Sequence, residues 1–343
     1  MAPTHAQPLD PAKRDAFVDR FVVDLGAAVH LATVILGDRL GLFQAMASGE
    51  PVTAAELADR TGTSVANVER WLTGQAAAGY VEHDPTDRRF RLPAEHADVL
   101  LGGRSAVFIP GAFQVAASIV KDEPMLTEAF RTGQPVVASR RHPDCYVGAE
   151  RWSRADYAAH LVLWLAASDD VSARMQRGAA VADVGCGHGV STTVMAAAYP
   201  ASTLVGFDER SEAVEVARVA AAAAGVGARV RFEVAAPDRF PGSGYGLVTC
   251  IDGFTSMPDP VAVASRVCAA LAPDGAWLIV EPSAAESDES PMAKVLRNLA
   301  AVTGGLGLGA GEDAVRSAVL AGGFRSLEAV AQTPGHTAYL ARG

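Results

Sequence analysis

The sequence predicts an α/β protein, a doubly wound and mostly parallel sheet preceded by a mainly helical N-terminal domain. Three observations carry this expectation. From Ala179 onward, short apolar runs such as "AAVADVGCG", "STLVGFD", "YGLVTCID" and "AWLIVEP" alternate with helical ones, as strands covered on both faces do. The first of these runs ends in a glycine-rich turn, Gly185 to Gly189, and the second ends in an acid, Asp208. The first hundred residues read instead as helices closing in a short hairpin.

The chain has 343 residues, enough for two domains with separate cores, and half of them are apolar. A net charge of -10 argues against general attraction to phosphate backbones or anionic membranes, so neither nucleic acid nor membrane is an expected partner. Cys145, Cys186, Cys250 and Cys268 are widely spaced and form no C-x-x-C pair, which points to reduced thiols, a cytoplasmic protein and no metal. The N-terminal "MAPTHAQPLDPAKRDAF" has no apolar core behind a basic start and does not read as a secretory leader. The apolar stretch from Phe21 to Met46 is interrupted by Asp24, His30 and Asp38, a poor pattern for a membrane span.

Along the N-terminal domain, residues 1–100, "AAVHLATVILGDRLGLFQAMASG" predicts a helix running to Met46 and buried against several neighbours. It has more apolar surface than a small domain can cover, which predicts a homodimer through this region. Thr53 with Glu56 forms a capping box, and Gly62 ends that helix. Ser64 is placed to cap the next helix, and "YVEH" and "RFRL" flank the turn "DPTD" as a hairpin. Helix, turn, helix, hairpin is a winged-helix order. Across it acids outnumber arginines, and only Arg88, Arg89 and Arg91 supply a basic cluster, so subunit pairing is preferred to DNA reading.

Residues 101–172 are predicted to be a helical linker. The polar "QPVVASRRHPDCYVGAERW" within them reads as irregular, a lid over a pocket with Tyr146, Trp152 and the following Tyr157 as walls. Residues 173–343 form the sheet domain. Open parallel sheets bind ligands beyond the carboxyl ends of their strands, where the strand order reverses, and the turn Gly185-Cys186-Gly187-His188-Gly189 leaves the first strand at that point. Its third glycine comes one residue too early for G-x-G-x-x-G, and no G-K-[ST] follows, so neither a dinucleotide fingerprint nor a P-loop is present. Asp183 would repel a pyrophosphate but receive an amine, and Asp208 can accept from both hydroxyls of a ribose. A ligand with an amine and a ribose but no phosphate fits both acids; S-adenosylmethionine (SAM) is such a ligand.

The series Asp183 to Gly189, Asp208, "YGLVTCID" and "AWLIVEP" resembles the motifs of class I SAM-dependent methyltransferases, whose sheet is Rossmann-like. The N-terminal "GDRLGLFQAMASGEPVTAAELADRTGTSVANVERWLTGQAAAGYVE" resembles the two-domain bacterial type with a dimerising winged-helix domain. This likeness implies cofactor contacts from Asp183, Gly185, Cys186, Gly187, Asp208, Pro237, Asp238 and Asp252, with Asp252 beside the methyl-donating sulfur and a small-molecule acceptor to be methylated at oxygen or nitrogen. Two positions depart from the family pattern. The acid common after the third strand is replaced by Ala236 and Pro237, with Asp238 two residues out of register. The His-Asp pair common after the fourth strand is Thr255-Ser256 here.

A general base matters only when the acceptor must lose a proton. His160, His142 and Thr255 are the candidates to supply that function, and Phe254 is a further candidate pocket wall. The missing pair leaves open a SAM enzyme that cyclises or cleaves SAM, or uses it to assist a rearrangement. A SAM-sensing transcription regulator is the other alternative.

Overall fold

The computed structural model describes residues 9–343 except 103, 104, 106, 135, 137–139, 283–293, 296, 297, 299–310 and 334. The chain divides into two compact units, Met1–Ala117 and Ser118–Gly343, so the helical stretch expected as a linker is shared between them.

In the first unit, α1 (Pro11–Arg39) starts at Asp10, whose carboxylate accepts from the Ala12 and Lys13 amides, with Pro11 at the first helical position. It ends at Leu40, and Gly41, with φ 68°, turns the chain into the short α2 (Leu42–Ala45). The expected unbroken helix to Met46 is therefore corrected: a left-handed residue cannot continue a right-handed helix. Nor is α1 buried all round, because within it only Val34 and Gly37 are fully buried. Phe17, Val18, Phe21, Val22, Val23, Leu25 and Val29 are exposed. By length and composition α1 could cross a bilayer, with mean hydropathy 1.6 and 11% of its apolar window buried.

The capping box forms at the start of α3 (Ala54–Thr61), and Gly62 closes that helix. Ser64 precedes α4 (Val65–Ala77), but its side chain makes no capping bond. β1 (Glu82–Asp84) and β2 (Arg89–Arg91) pair antiparallel, with a bridge from Val52 to Phe90, and α5 (Ala94–Leu101) follows. Phe43, Met46, Leu57, Leu72 and Leu92 fill the core. Trp71 donates its indole N–H to the Thr33 carbonyl at 2.8 Å, tying α4 to α1. The three wing arginines are each tied to a glutamate: Arg88 to Glu69, Arg89 to Glu56 and Arg91 to Glu82.

α6 (Ile109–Lys121) contains the division point, and α7 (Glu123–Thr132), α8 (Pro143–Ala166) and α9 (Asp169–Arg177) precede the sheet. The expectation of an irregular segment through Trp152 is corrected from Pro143 onward, where the chain is helical. The local signals are an N-cap at His142, proline at the first position and Asp144 in the first turn.

Within the sheet, β3 (Ala180–Val184), β4 (Thr203–Asp208), β5 (Val230–Val234), β6 (Tyr245–Ile251) and β7 (Leu271–Pro282) are parallel. α10 (Val190–Ala198), α11 (Ser211–Ala223) and α12 (Pro260–Ala270) connect them. β8 (Ser326–Gln332) and β9 (His336–Arg342) close the sheet antiparallel, in the order β5-β4-β3-β6-β7-β9-β8. Successive side chains enter opposite layers, with Val181, Leu204, Leu247 and Leu278 against α8 to α11. Ala182, Phe207, Val248 and Trp277 meet α12 and the helix Glu312–Ala321. The glycine-rich stretch of sequence before Glu312 lies mostly outside the described residues. Strand order reverses between β3 and β6, which places the loops after β3, β4 and β6 around one crevice.

Candidate active site

The turn after β3 is built from glycine because three of its residues need left-handed backbone: Gly185, Gly187 and Gly189 have φ of 76°, 54° and 75°. The Gly185 and Cys186 amides donate to the Phe207 carbonyl at 2.8 and 3.0 Å, pinning the turn to the end of β4. Gly189 is also sterically required, since a Cβ there would lie 2.7 Å from the Phe232 ring. Gly187 is different: the nearest atom to its Cβ position is an Arg210 nitrogen at 3.8 Å, so its outer side is open.

Asp183 is 1% exposed. Its carboxylate accepts from the hydroxyls of Ser191 and Thr192 at 2.7 and 2.6 Å on one oxygen and from Thr249 at 2.7 Å on the other. The expected direct contact with a ligand amine therefore meets a carboxylate already turned inward, which ties β3 to α10 and β6. Burial raises its pKa, opposed by those hydroxyls.

Asp208 ends β4. One oxygen accepts from the Gly187 amide at 2.9 Å; the other accepts from the Arg210 amide and guanidinium at 3.0 and 3.1 Å. That guanidinium lies 4.1 Å from the centre of the Tyr146 ring. Burial raises the Tyr146 pKa, with Arg210 opposing. One turn further along α8, Glu150 faces His188 of the glycine turn at 3.5 Å and also pairs with Arg154. Tyr157 continues the same helix face and donates its phenol to Asp252 at 2.5 Å. Burial, and then the Asp252 charge, push that phenol well above its ordinary pKa, so it keeps its proton.

Asp252, just beyond β6, has φ 56°, an uncommon conformation for a residue with a side chain. Its second oxygen is buried and pairs with His336 Nε2 at 3.1 Å. His336 Nδ1 is 3.1 Å from Asp156, which also holds His160 at 2.8 Å. Burial works against a charge on His336, but Asp252 and Asp156 more than offset it and raise its pKa to about 10. His336 was not foreseen from sequence: it opens the edge-side strand β9, more than eighty residues beyond Asp252, and only sheet pairing with β7 brings the two together.

The remaining candidates occupy other settings. His142 caps α8, accepting from the Asp144 amide at 3.2 Å and donating its own amide to Asp122 at 2.9 Å. Thr255 donates its hydroxyl to Glu281 at 2.6 Å, and Glu281 also accepts from the Phe254 amide at 2.8 Å. Burial pushes the Glu281 pKa up to about 7. Phe254 is 0% exposed with its ring edge on Trp277, so its expected place in a pocket wall is corrected to the core. Cys186 is buried beneath the glycine turn, and burial raises its thiol pKa. Trp152, Pro237 and Asp238 are partly exposed, and Asp238 pairs with Arg239.

SAM fits these residues. The crevice is lined by the carboxylates of Asp208 and Asp252 and by an open glycine at position 187. Among the described residues no group of His, Cys, Asp and Glu is arranged to hold a metal ion.

Residues 175–315 match the family described as a methyltransferase domain, and residues 27–101 match the Rv2258c-like winged HTH domain. The ubiquinone biosynthesis O-methyltransferase of Bordetella parapertussis is 37% identical over 105 residues, 29% of this chain. The Bordetella pertussis protein of the same name is 36% identical over 105 residues. The chain spans only 41% of the length of each of these relatives. Among solved structures, an O-methyltransferase-like protein of Nostoc punctiforme superposes with a TM-score of 0.74 at 19% identity, covering 98% of this chain and all of that one (100%). Mitomycin 7-O-methyltransferase MmcR gives 0.73 at 18% identity, covering 97% and 100%. Human N-acetylserotonin methyltransferase in complex with SAM gives 0.67 at 16% identity, covering 99% of each chain. At those identities the superpositions establish the shared fold. The chain thus carries a methyltransferase domain at residues 175–315 behind an Rv2258c-like winged HTH domain at residues 27–101.

Proposed function

We propose that the protein transfers the methyl group of SAM to the oxygen or nitrogen of a small organic acceptor. The observation that carries this reading is the set of Gly187, Asp208 and Asp252 around the crevice, with carboxylates where an amine and a ribose need acceptors. When bound, SAM supplies a methyl group already activated on a sulfonium. What remains for the chain is alignment and exclusion of water, which together supply much of such a rate. Asp208 would orient the ribose, with Arg210 moving on its Tyr146 stack to admit it. The α8 face bearing Tyr146, Glu150 and Tyr157 reaches the loops after β4, β3 and β6 in turn, and would cover them.

Calorimetry tests the cofactor reading: SAM and S-adenosylhomocysteine bind, and NAD does not. Asp208→Ala is expected to weaken SAM by about 1.5–3 kcal/mol, since the ribose loses a charged acceptor. Unchanged affinity in that variant removes Asp208 from the site.

A second reading has one observation in its favour. Thr255, which stands where related sequences carry histidine, has its hydroxyl committed to Glu281. An enzyme that uses SAM without methyl transfer would not need a base there.

We further assign the N-terminal domain to homodimerisation, with a second copy covering the exposed Phe17, Phe21, Val22 and Val29 of α1. The pairing of Arg88, Arg89 and Arg91 with glutamates leaves that wing little charge for phosphates and favours this role over nucleic-acid binding. Light scattering that reports a monomer at micromolar concentration would refute the dimer.

A further inference from the structure

Around His336 the fold gathers titratable groups from three elements. Asp156, Tyr157 and His160 come from α8, Asp252 from the end of β6, and Glu281 from β7, where its Cα pairs with that of Thr337. His336 itself is held by backbone: its amide donates to the Thr333 hydroxyl at 3.1 Å, and its carbonyl accepts from the Thr333 amide at 2.8 Å. The ring rests 5.6 Å from the Trp164 ring, and its side chain is 15% exposed. A histidine so enclosed has little freedom to turn toward a substrate. Both of its nitrogens already face carboxylates.

We propose that His336, with Asp156 behind it, is a positioning residue for the methyl-transfer site, fixing the Asp252 carboxylate toward the cationic end of SAM. The inference rests on the reading that the crevice takes SAM. His336 touches neither reactant; it acts through Asp252. Tyr157 holds one Asp252 oxygen and the His336 ring stands 3.1 Å from the other, so the carboxylate is gripped from both sides where β6 ends. Two carboxylates around one imidazolium leave one negative charge over, which matches the single net positive charge of SAM. S-adenosylhomocysteine has lost the sulfonium charge, so the cluster discriminates between cofactor and product. The raised pKa of His336, about 10, keeps the imidazolium charged across the neutral range.

The test is calorimetric titration of the full chain with SAM and with S-adenosylhomocysteine, in wild type, Asp156→Asn and His336→Gln. Asp156→Asn removes the surplus charge without touching the crevice, so SAM affinity is expected to fall by about threefold to tenfold while the product's affinity stays within about twofold. His336→Gln leaves the two carboxylates without their cation, and one of them then takes up a proton near neutrality. Its SAM affinity is expected to change between pH 6 and 8.5 by at least about fivefold more than that of the wild type, in which Glu281 also titrates near 7. Should His336→Gln fail to fold, Asp156→Asn decides alone. Wild-type binding with an unchanged SAM-to-product ratio in Asp156→Asn overturns the positioning role and leaves the cofactor reading standing. A wild type that binds neither ligand overturns the cofactor reading and this inference with it.

Discussion

Tyr157 and Asp252 stand 95 residues apart in sequence and share a 2.5 Å hydrogen bond, the phenol of α8 donating to a carboxylate in left-handed backbone beyond β6. This bond joins the covering helix to the crevice. Tyr157→Phe keeps the ring and removes the donor, leaving a partly buried carboxylate oxygen unpaired. The expected loss is about 1–3 kcal/mol of unfolding free energy in urea melts, with weaker SAM binding. Unchanged stability and unchanged affinity would show that the bond is idle.

Glu281 gives a pH signature. Its carboxyl titrates near 7 in the folded chain against an ordinary 4.5, so the native state holds this proton more tightly than the unfolded one. The stabilisation from that proton is complete below 4.5 and is lost as pH rises through about 7. Glu281→Gln mimics the protonated form and can still accept from the Phe254 amide. It is expected to be more stable than wild type at pH 8.5, on the order of 2–3 kcal/mol, with the difference closing toward pH 5. Thermal melts at the two pH values check this. A constant offset between the proteins would assign the effect to packing instead.

The glycines of the turn separate folding from binding. Gly189→Ala forces a Cβ to within 2.7 Å of Phe232 and 2.8 Å of Ala217 in backbone that already disfavours it. The expected cost is about 2–5 kcal/mol of stability, seen as a lower denaturation midpoint. Gly187→Ala meets open space, so its cost is expected to be about 1–2 kcal/mol, with the larger effect on SAM affinity. If the two variants melt alike, the turn is not divided in this way.

Much of this was legible because it was local. The capping box at Thr53, the alternation of strands and helices after Ala179 and the glycine turn each declare themselves within a few residues. Pro143 after His142 also announced the start of α8, but a polar, aromatic-rich neighbourhood suggested a loop. The inward turn of Asp183 was hidden because its partners include Thr249, which is adjacent only through β-sheet register. The same holds for His336, whose meeting with Asp156 and Asp252 depends on a helix, a parallel strand and an antiparallel strand converging on one edge. Phe254 shows the reverse error, since an aromatic beside the site entered the core instead.

The central claim is acceptor-dependent methyl transfer, and the measurement that reaches it most directly is mass spectrometry of every adenosine-containing product. The protein is incubated with SAM alone, and then with SAM and a panel of phenols, carboxylic acids and amines. The account expects S-adenosylhomocysteine to accumulate only when a suitable acceptor is present, in step with a product heavier by one methylene. Methylthioadenosine released from SAM alone, with no methylated product from any acceptor, would contradict it.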